Sequence, residues 1–338
     1  MKNKSVRLRD IAAKAGVSIN TVSRALHQRP YVNEKTRAFI FQAAEELGYA
    51  LAPATVSDSK TLTIGVLMQD IKNPFYPMAL EGIEQALWQE RANLLFGCSY
   101  RQESKERDIF SSFCQQQVDG IFLGSMINPE YILSRLPKIA IPVTSISQRF
   151  QECHVDYVIT DNYKGALLAM EHLIKLGHRR IAHISGLDTQ TSSQERLRGY
   201  KDALANAGLP FDEQLLRSGD DTMESGYFLT KNLLQAASDL TAIFAFNDLI
   251  ALGAARGIRE AKLQIPTDIS LVGFDDIPAA EYVEVPLTTV RQSMVEIGRK
   301  ATEILLAKIR AGGLHRLQQI VLQPKLSVRS STSICFKK

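Results

Sequence analysis

Nothing in this sequence can cross a membrane as a helix, because no run among its 338 residues approaches the ~20 apolar positions such a span needs. Residues 1–9 are basic and lack an apolar stretch, so no export signal is expected and the chain is expected in the cytoplasm. Cysteine is scarce. Cys98, Cys114, Cys153 and Cys335 follow no paired spacing, and a chain this large needs no disulfide staples, which points to reduced thiols. Catalytic signatures are missing as well. There is no G-x-S-x-G, G-x-x-x-x-G-K-[ST], H-E-x-x-H or C-x-x-C, so neither an enzyme nor a bound cofactor is expected. His172, His178 and His183 lie near one another, but the first falls on a helix and the last in a strand. They are expected to be structural, and no metal site is expected.

Net charge is also small until the chain is divided. Over the whole length 40 Lys and Arg face 36 Asp and Glu, whereas residues 1–60 hold ten against five. The other 278 residues therefore carry 30 against 31. The whole basic excess sits in the first sixth, as expected if only that part meets a polyanion.

That first sixth has a strong local pattern. Leu8, Ile11, Ala12 and Ala15 recur at i, i+3, i+4 and i+7, one face of a helix. Gly16 can take the left-handed conformation that ends it, and Ser18 can cap a second helix. In the second helix Val22, Ala25 and Leu26 face inward, leaving Ile19, Asn20, Thr21, Ser23 and Arg24 outside. A tight glycine turn followed by a helix with a polar, cationic outer face predicts a helix-turn-helix with its recognition helix. Arg24 suits a bidentate contact to guanine, Asn20 one to adenine, and Ile19 packing on thymine methyls. Thr21, Ser23, Thr36 and Arg37 suit phosphates. A third helix is expected over 34–47, capped by Asn33, with Phe39, Ile40, Ala43, Ala44 and Leu47 as its apolar stripe.

Residues 50–61 carry Pro53 and several cap-preferring residues without periodicity and read as a linker. From 62 onward continuous apolar strands alternate with amphipathic helices, which predicts parallel sheets covered on both faces. Two rounds of the pattern suggest two lobes of similar build. Ligands of open parallel sheets bind beyond the carboxyl ends of the strands. That rule selects Gln69, Asp70, Asn73, Phe75, Ser147, Asp161, Asn162, Asn247, Asp248, Asp275 and Asp276, with Asp248 expected mainly to cap its helix. Carboxylates, amides, an aromatic and an arginine around one cleft suit a small polyhydroxylated ligand.

The words Ala-Gly-Val-Ser and Thr-Val-Ser-Arg in the helix-turn-helix resemble the N-terminal signature of the lactose/galactose repressor (LacI/GalR) family. The resemblance continues through Asn73-Pro-Phe75, Val158-Ile-Thr-Asp-Asn162, Arg196-Leu-Arg-Gly-Tyr200, Phe246-Asn-Asp248, Val272-Gly-Phe-Asp275 and Leu287-Thr-Thr289. It implies a helix-turn-helix domain over 1–49, a hinge over 50–61, and a two-lobed periplasmic-binding-protein-like α/β core over 62–338. The implied lobes are about 62–160 with 293–322, and 161–291 with 323–334. Arg196, Asn247 and Asp275 match effector-contacting positions, Phe75 a rim aromatic and Gln292 a polar position at the lobe crossover. Ser147 and Asp221 depart from the family's usual residues, so the pocket is not a copy of the lactose or purine type.

A homodimeric repressor of a pseudo-palindromic operator, controlled by a sugar or sugar derivative, is the function these features imply. A free sugar-binding protein for a transporter would need a signal peptide in place of the helix-turn-helix, and a Rossmann-like enzyme would need a phosphate loop. The final residues hold no leucine heptads, so a dimer and nothing larger is expected. The family's hinge helix carries a leucine that wedges into the minor groove. Here Val56 is the apolar side chain available, beside Pro53, so a weakly helical hinge and a less sharply bent operator are expected.

Overall fold

The computed structural model describes residues 6–26, 32–49, 61–150, 155–312 and 316–335, and the chain divides into compact units over 1–60 and 61–338. Val56 and the hinge lie outside the described residues. The first unit holds α1 (Leu8–Ala15), α2 (Ile19–Leu26) and α3 (Glu34–Glu46). Its junctions are local chemistry. The Arg7 amide donates to Asp10 Oδ2 at 2.8 Å, Gly16 ends α1 at φ 67°, and the Thr21 amide donates to Ser18 Oγ at 3.1 Å. Asn33 Oδ1 accepts from the Thr36 amide at 2.8 Å and starts α3. Ile11, Val22, Ala25, Ile40, Ala43 and Ala44 form the buried centre, and Lys14 pairs with Glu46 at 2.7 Å to tie α1 to α3. Phe39, expected in the α3 stripe, is instead 56% exposed. The stripe is centred on Ile40 and two alanines, and so small a core has no room for a ring at its edge.

The second unit contains two six-stranded sheets. The first takes β1 (Thr63–Met68), β2 (Asn93–Cys98), β3 (Gly120–Leu123), β4 (Val143–Ser145) and β5 (Asp156–Thr160), interleaved with α4 (Phe75–Gln89), α5 (Glu103–Gln115) and α6 (Pro129–Leu133). The chain crosses over and continues with α7 (Asn162–Lys175), β6 (Ile181–Ser185), α8 (Thr191–Asn206), β7 (Leu216–Ser218) and α9 (Met223–Ala236). There follow β8 (Ala242–Ala245), α10 (Asp248–Glu260), β9 (Ser270–Asp275), α11 (Ala279–Tyr282) and β10 (Thr288–Arg291). It then returns through α12 (Met294–Ala311) and β11 (Gln319–Leu322) to the first sheet, and crosses a third time to β12 (Lys325–Ser327). The orders are β2-β1-β3-β4-β5-β11 and β7-β6-β8-β9-β10-β12, the same winding twice. Every pairing is parallel except β10 with β12.

Two of these strands escape the hydrophobic pattern. β7 is three residues long, and β10 begins with Thr288 and Thr289, buried polar residues. Burial there is satisfied by hydrogen bonds: Thr289 Oγ1 donates to Asp248 Oδ1 at 2.6 Å, and Thr288 Oγ1 accepts from the Arg329 amide at 2.9 Å.

Both lobes close one face with a helix pair brought together at reciprocal glycines. A side-chain carbon on Gly82 of α4 would overlap the Val295 carbonyl, and one on Gly298 of α12 would overlap that of Ala79. In the second lobe Gly226 of α9 meets the Ile250 carbonyl and Gly253 of α10 that of Met223. Backbone against backbone leaves no side chain to yield. Gly253→Ala is therefore expected to cost at least ~2 kcal/mol in urea unfolding. An unchanged unfolding midpoint would show that the pair can separate freely.

Candidate functional site

Both sheets reverse direction of winding between their first and third strands, and their carboxyl ends face one cleft between the lobes. The cleft holds about 490 Å³ of empty space, its open mouth included. Asn73, Phe75, Ser125, Ser147 and Ile297 line it from the first lobe, and Arg196, Asp221, Phe246, Asn247 and Asp275 from the second.

Arg196, at 4% exposure, is the buried cation of the cleft lining. α8 carries it beneath the ends of β8 and β9, where its guanidinium lies 4.4 Å from the Phe246 ring centre and 3.5 Å from that of Phe274. Its Nε donates to Asn162 Oδ1 at 2.9 Å and Nη1 to the Phe246 carbonyl. Burial lowers its pKa to about 10, against the pull of Asp275 and Asp221, so it stays a cation at neutral pH.

The carboxylates divide by backbone geometry. Asp275 ends β9 and Asp276 follows it, with φ 127° and 58°, conformations non-glycine residues seldom adopt, and the two side chains go opposite ways. Asp275 faces the cleft and accepts from Gln292 Nε2 at 2.7 Å. Burial raises its pKa to about 7, with Arg196 and the Gln292 bond opposing. Asp276 is drawn away by Arg291 at 2.6 Å, Arg329 at 2.7 Å and Ser327 at 3.0 Å. Asp221, at φ 66°, accepts from Gln190 Nε2 at 3.0 Å through Oδ2, while its buried Oδ1 has no hydrogen-bond partner. Burial raises its pKa too.

The seven residues expected to meet a ligand, Phe75, Ser147, Arg196, Asp221, Asn247, Asp275 and Gln292, all line this cleft. Of the other strand-end residues, Asn73 and Asn162 line it too, whereas Asp70, Asp161, Asp248 and Asp276 do not. Asp161 caps α7 through the Lys164 amide at 2.9 Å, and Asp70 accepts from the Lys72 amide at 2.8 Å. Asp248 is not the cap of α10. Asn247 Oδ1 takes that role, accepting from the Ile250 amide at 2.8 Å, while buried Asp248 accepts from the Ile277 amide at 2.9 Å and from Thr289. One residue earlier in the chain, Asn247 lies at the N-cap position, and Asp248 is already inside the first turn. Sequence reasoning missed Ser125, Gln190 and Ser192 in the lining. They follow β3 and β6, so the strand-end rule would have found them had it been applied to every strand.

In the first unit Ile19, Asn20 and Arg24 are exposed on α2, with Ile19 at 53%. Thr21, Ser23, Thr36 and Arg37 are half-buried, and Thr21 Oγ1 lies 2.8 Å from Ser18 Oγ. The three histidines are structural: His178 bonds Thr241 and the Ser333 carbonyl, His183 the Phe244 carbonyl and His172 Thr332. No cluster of metal-ligating residues occurs among the described residues, and no described helix is long and apolar enough to cross a membrane.

A helix-turn-helix in one chain with a two-lobed, cleft-bearing α/β core defines a DNA-binding regulator with an effector-binding domain. Residues 7–51 match the model of bacterial regulatory proteins of the lacI family, and residues 170–332 that of a periplasmic binding protein-like domain. The chain is 35% identical to the HTH-type transcriptional regulator DegA of Bacillus subtilis, over 96% of this chain and 97% of that one. It is similar to the transcriptional regulator CelR in complex with cellobiose (32% identity, TM-score 0.75, covering 96% and 99% of the chains). It is also similar to the lac repressor dimer bound to operator and the anti-inducer ONPF (27% identity, TM-score 0.80, 98% and 100%). The chain belongs to the LacI family of bacterial transcriptional regulators.

The raised pKa of Asp275 has a sign that stability measurements can read. A carboxyl whose folded pKa of about 7 exceeds its ordinary 3.8 binds its proton more tightly when folded. Its stabilising contribution is complete below pH 3.8 and disappears as the pH rises through 7. The melting temperature of the ligand-free protein is expected to fall relative to Asp275→Asn between pH 4 and pH 8. Parallel pH profiles for the two proteins would place the ionisation elsewhere.

Proposed function

We propose that the protein is a homodimeric repressor whose core closes on a neutral, hydroxyl-rich ligand, a sugar or sugar derivative, and thereby alters operator binding. The observation that carries the reading is the donor and acceptor set of the cleft. Two buried carboxylates, one with an unpartnered oxygen, face a space where the Arg196 guanidinium already holds two internal acceptors. Hydroxyl groups can donate to those carboxylates, and Phe75 can pack on a C–H face. A phosphate or carboxylate ligand would bring a second anion against Asp221 and Asp275. The sugar held by the CelR structure supports the same ligand class.

On DNA, Ile19, Asn20 and Arg24 read base edges, Thr21, Ser23, Thr36 and Arg37 hold phosphates, and Val56 contacts the minor groove. One three-helix unit reads few base pairs, so two copies on a pseudo-palindrome are needed for usable specificity. A groove on the core supports a contact with the second copy. α10 and residues 283–285 flank an apolar groove, and Tyr282 beside it in the chain is 84% exposed.

Arg24→Ala is expected to cost ~1–3 kcal/mol per half-site on operator DNA selected from a random pool, with little change on unselected DNA. Equal losses on both would make Arg24 a phosphate contact. In thermal-shift assays a panel of neutral sugars is expected to contain a stabilising ligand. Asp275→Asn is expected to abolish that shift while operator affinity stays within twofold. Stabilisation by sugar phosphates alone would overturn the assignment of ligand class.

A further inference from the structure

Arg101 follows β2 in the first lobe and was selected by no pattern in the sequence. Its backbone stands at φ 60°, in the left-handed region. From there its guanidinium reaches over the cleft mouth to the loop after β7 in the second lobe. Nη1 donates to the Asp220 carbonyl, and Nη2 lies 3.9 Å from Asp221 Oδ2. The same Nη2 is 3.5 Å from Asp70 Oδ2 in its own lobe. Asp221, its partner across the cleft, also has a left-handed backbone. Two strained residues thus face each other across a gap, one on each lobe, joined by a long ion pair beside the Arg101 hydrogen bond to the Asp220 carbonyl.

We infer that Arg101 is a positioning residue of the cleft: it latches the lobes together at the mouth and fixes the Asp221 carboxylate toward the interior. Asp70 holds the guanidinium when the lobes part, so the cation is never left without a counter-charge. With Oδ2 shared between Gln190 and Arg101, Oδ1 is the Asp221 oxygen left for a ligand. Gly186 makes room for it, since a side-chain carbon there would lie 2.7 Å from Oδ1. Arg101 therefore acts on a ligand through Asp221, a consequence that rests on the cleft being the effector site. The latch itself does not.

Hydrogen exchange on the full-length, ligand-free protein separates the two. The amides of Gly219 and Asp220 are bonded to the Ser185 carbonyl and to Ser225 Oγ, so the loop after β7 carries protected probes. Arg101→Ala is expected to speed exchange roughly three- to fivefold in residues 217–224 as well as in 99–102. Arg101→Lys is expected to restore part of the protection, because an ammonium reaches one acceptor but lacks the fork. In 1 M NaCl the wild type is expected to exchange like Arg101→Ala, and the variant to be insensitive to salt. Acceleration confined to residues near 101, or a salt response unchanged in the variant, overturns the latch. D-ribose and cellobiose then serve as probes of the effector assignment. If neither protects 217–224 while the coupling between loops is present, the latch stands and these two sugars are not the effector.

Discussion

The second lobe depends on a single buried cation. Arg196 is held between two phenylalanine rings, one at the end of β8 and one in β9, while its bonds reach the first turn of α7 and the main chain after β8. An unpaired guanidinium in that setting would cost several kcal/mol. The surrounding residues are arranged to prevent it: Asn162 and the Phe246 carbonyl accept its protons, and Asp275 and Asp221 supply negative charge. The carboxylates are in turn distorted by the same burial, Asp275 most clearly. Cation and anions hold one another in an environment neither would enter alone. A cleft built this way keeps polar groups rigid and dry, as recognition of hydroxyls requires.

Rigidity of a different origin surrounds that centre. The glycine contacts of α4 with α12 and of α9 with α10 bring main chains together with no flexible side chain between them. Each lobe is therefore closely packed as a body, and the two are joined by the three crossovers and by contacts at the mouth of the cleft. The same winding in both lobes puts strand ends from both sheets on the cleft, so closure changes the distance between two sets of polar groups at once.

Legibility in the sequence followed how local each feature is. The helix-turn-helix rests on contacts three or four residues apart, such as Thr21 to Ser18 and Thr36 to Asn33, and periodicity and caps expose it. Phe39 escaped because its fate depends on how little room Ile40 and its alanines leave, a property of the packed core. The strand-end rule found Asn247, Asp275 and Phe75, since β1, β8 and β9 are continuous apolar runs. It failed at β7 and β10, where three residues or buried threonines carry no pattern. The exchange of roles between Asn247 and Asp248 hinges on one step of helix register, finer than periodicity resolves. Arg101 illustrates the remaining class. Its cross-cleft partner lies about 120 residues away on the other lobe, and nothing adjacent to it in sequence announces that.

On the reading proposed above, coupling between ligand and DNA needs no chain of contacts from one to the other. Acceptors such as Asp221 and Asp275 are buried from water whether or not a ligand is present, so their desolvation is a standing cost of the closed cleft. A hydroxyl-bearing ligand that donates to both recovers part of it, and does so only when both lobes are in place. Its affinity for closed and open forms therefore differs, and that difference is all it can contribute to regulation. A differential of ~1–3 kcal/mol can change operator affinity by at most roughly 5- to 150-fold, provided DNA also prefers one of the two forms. The cross-cleft contact of Arg101 bears on the same balance from the protein's side. A latch too strong would hold the cleft closed without ligand and abolish the differential; one that is ionic, partly exposed and shared with Asp70 is weak enough to be decided by what the cleft contains.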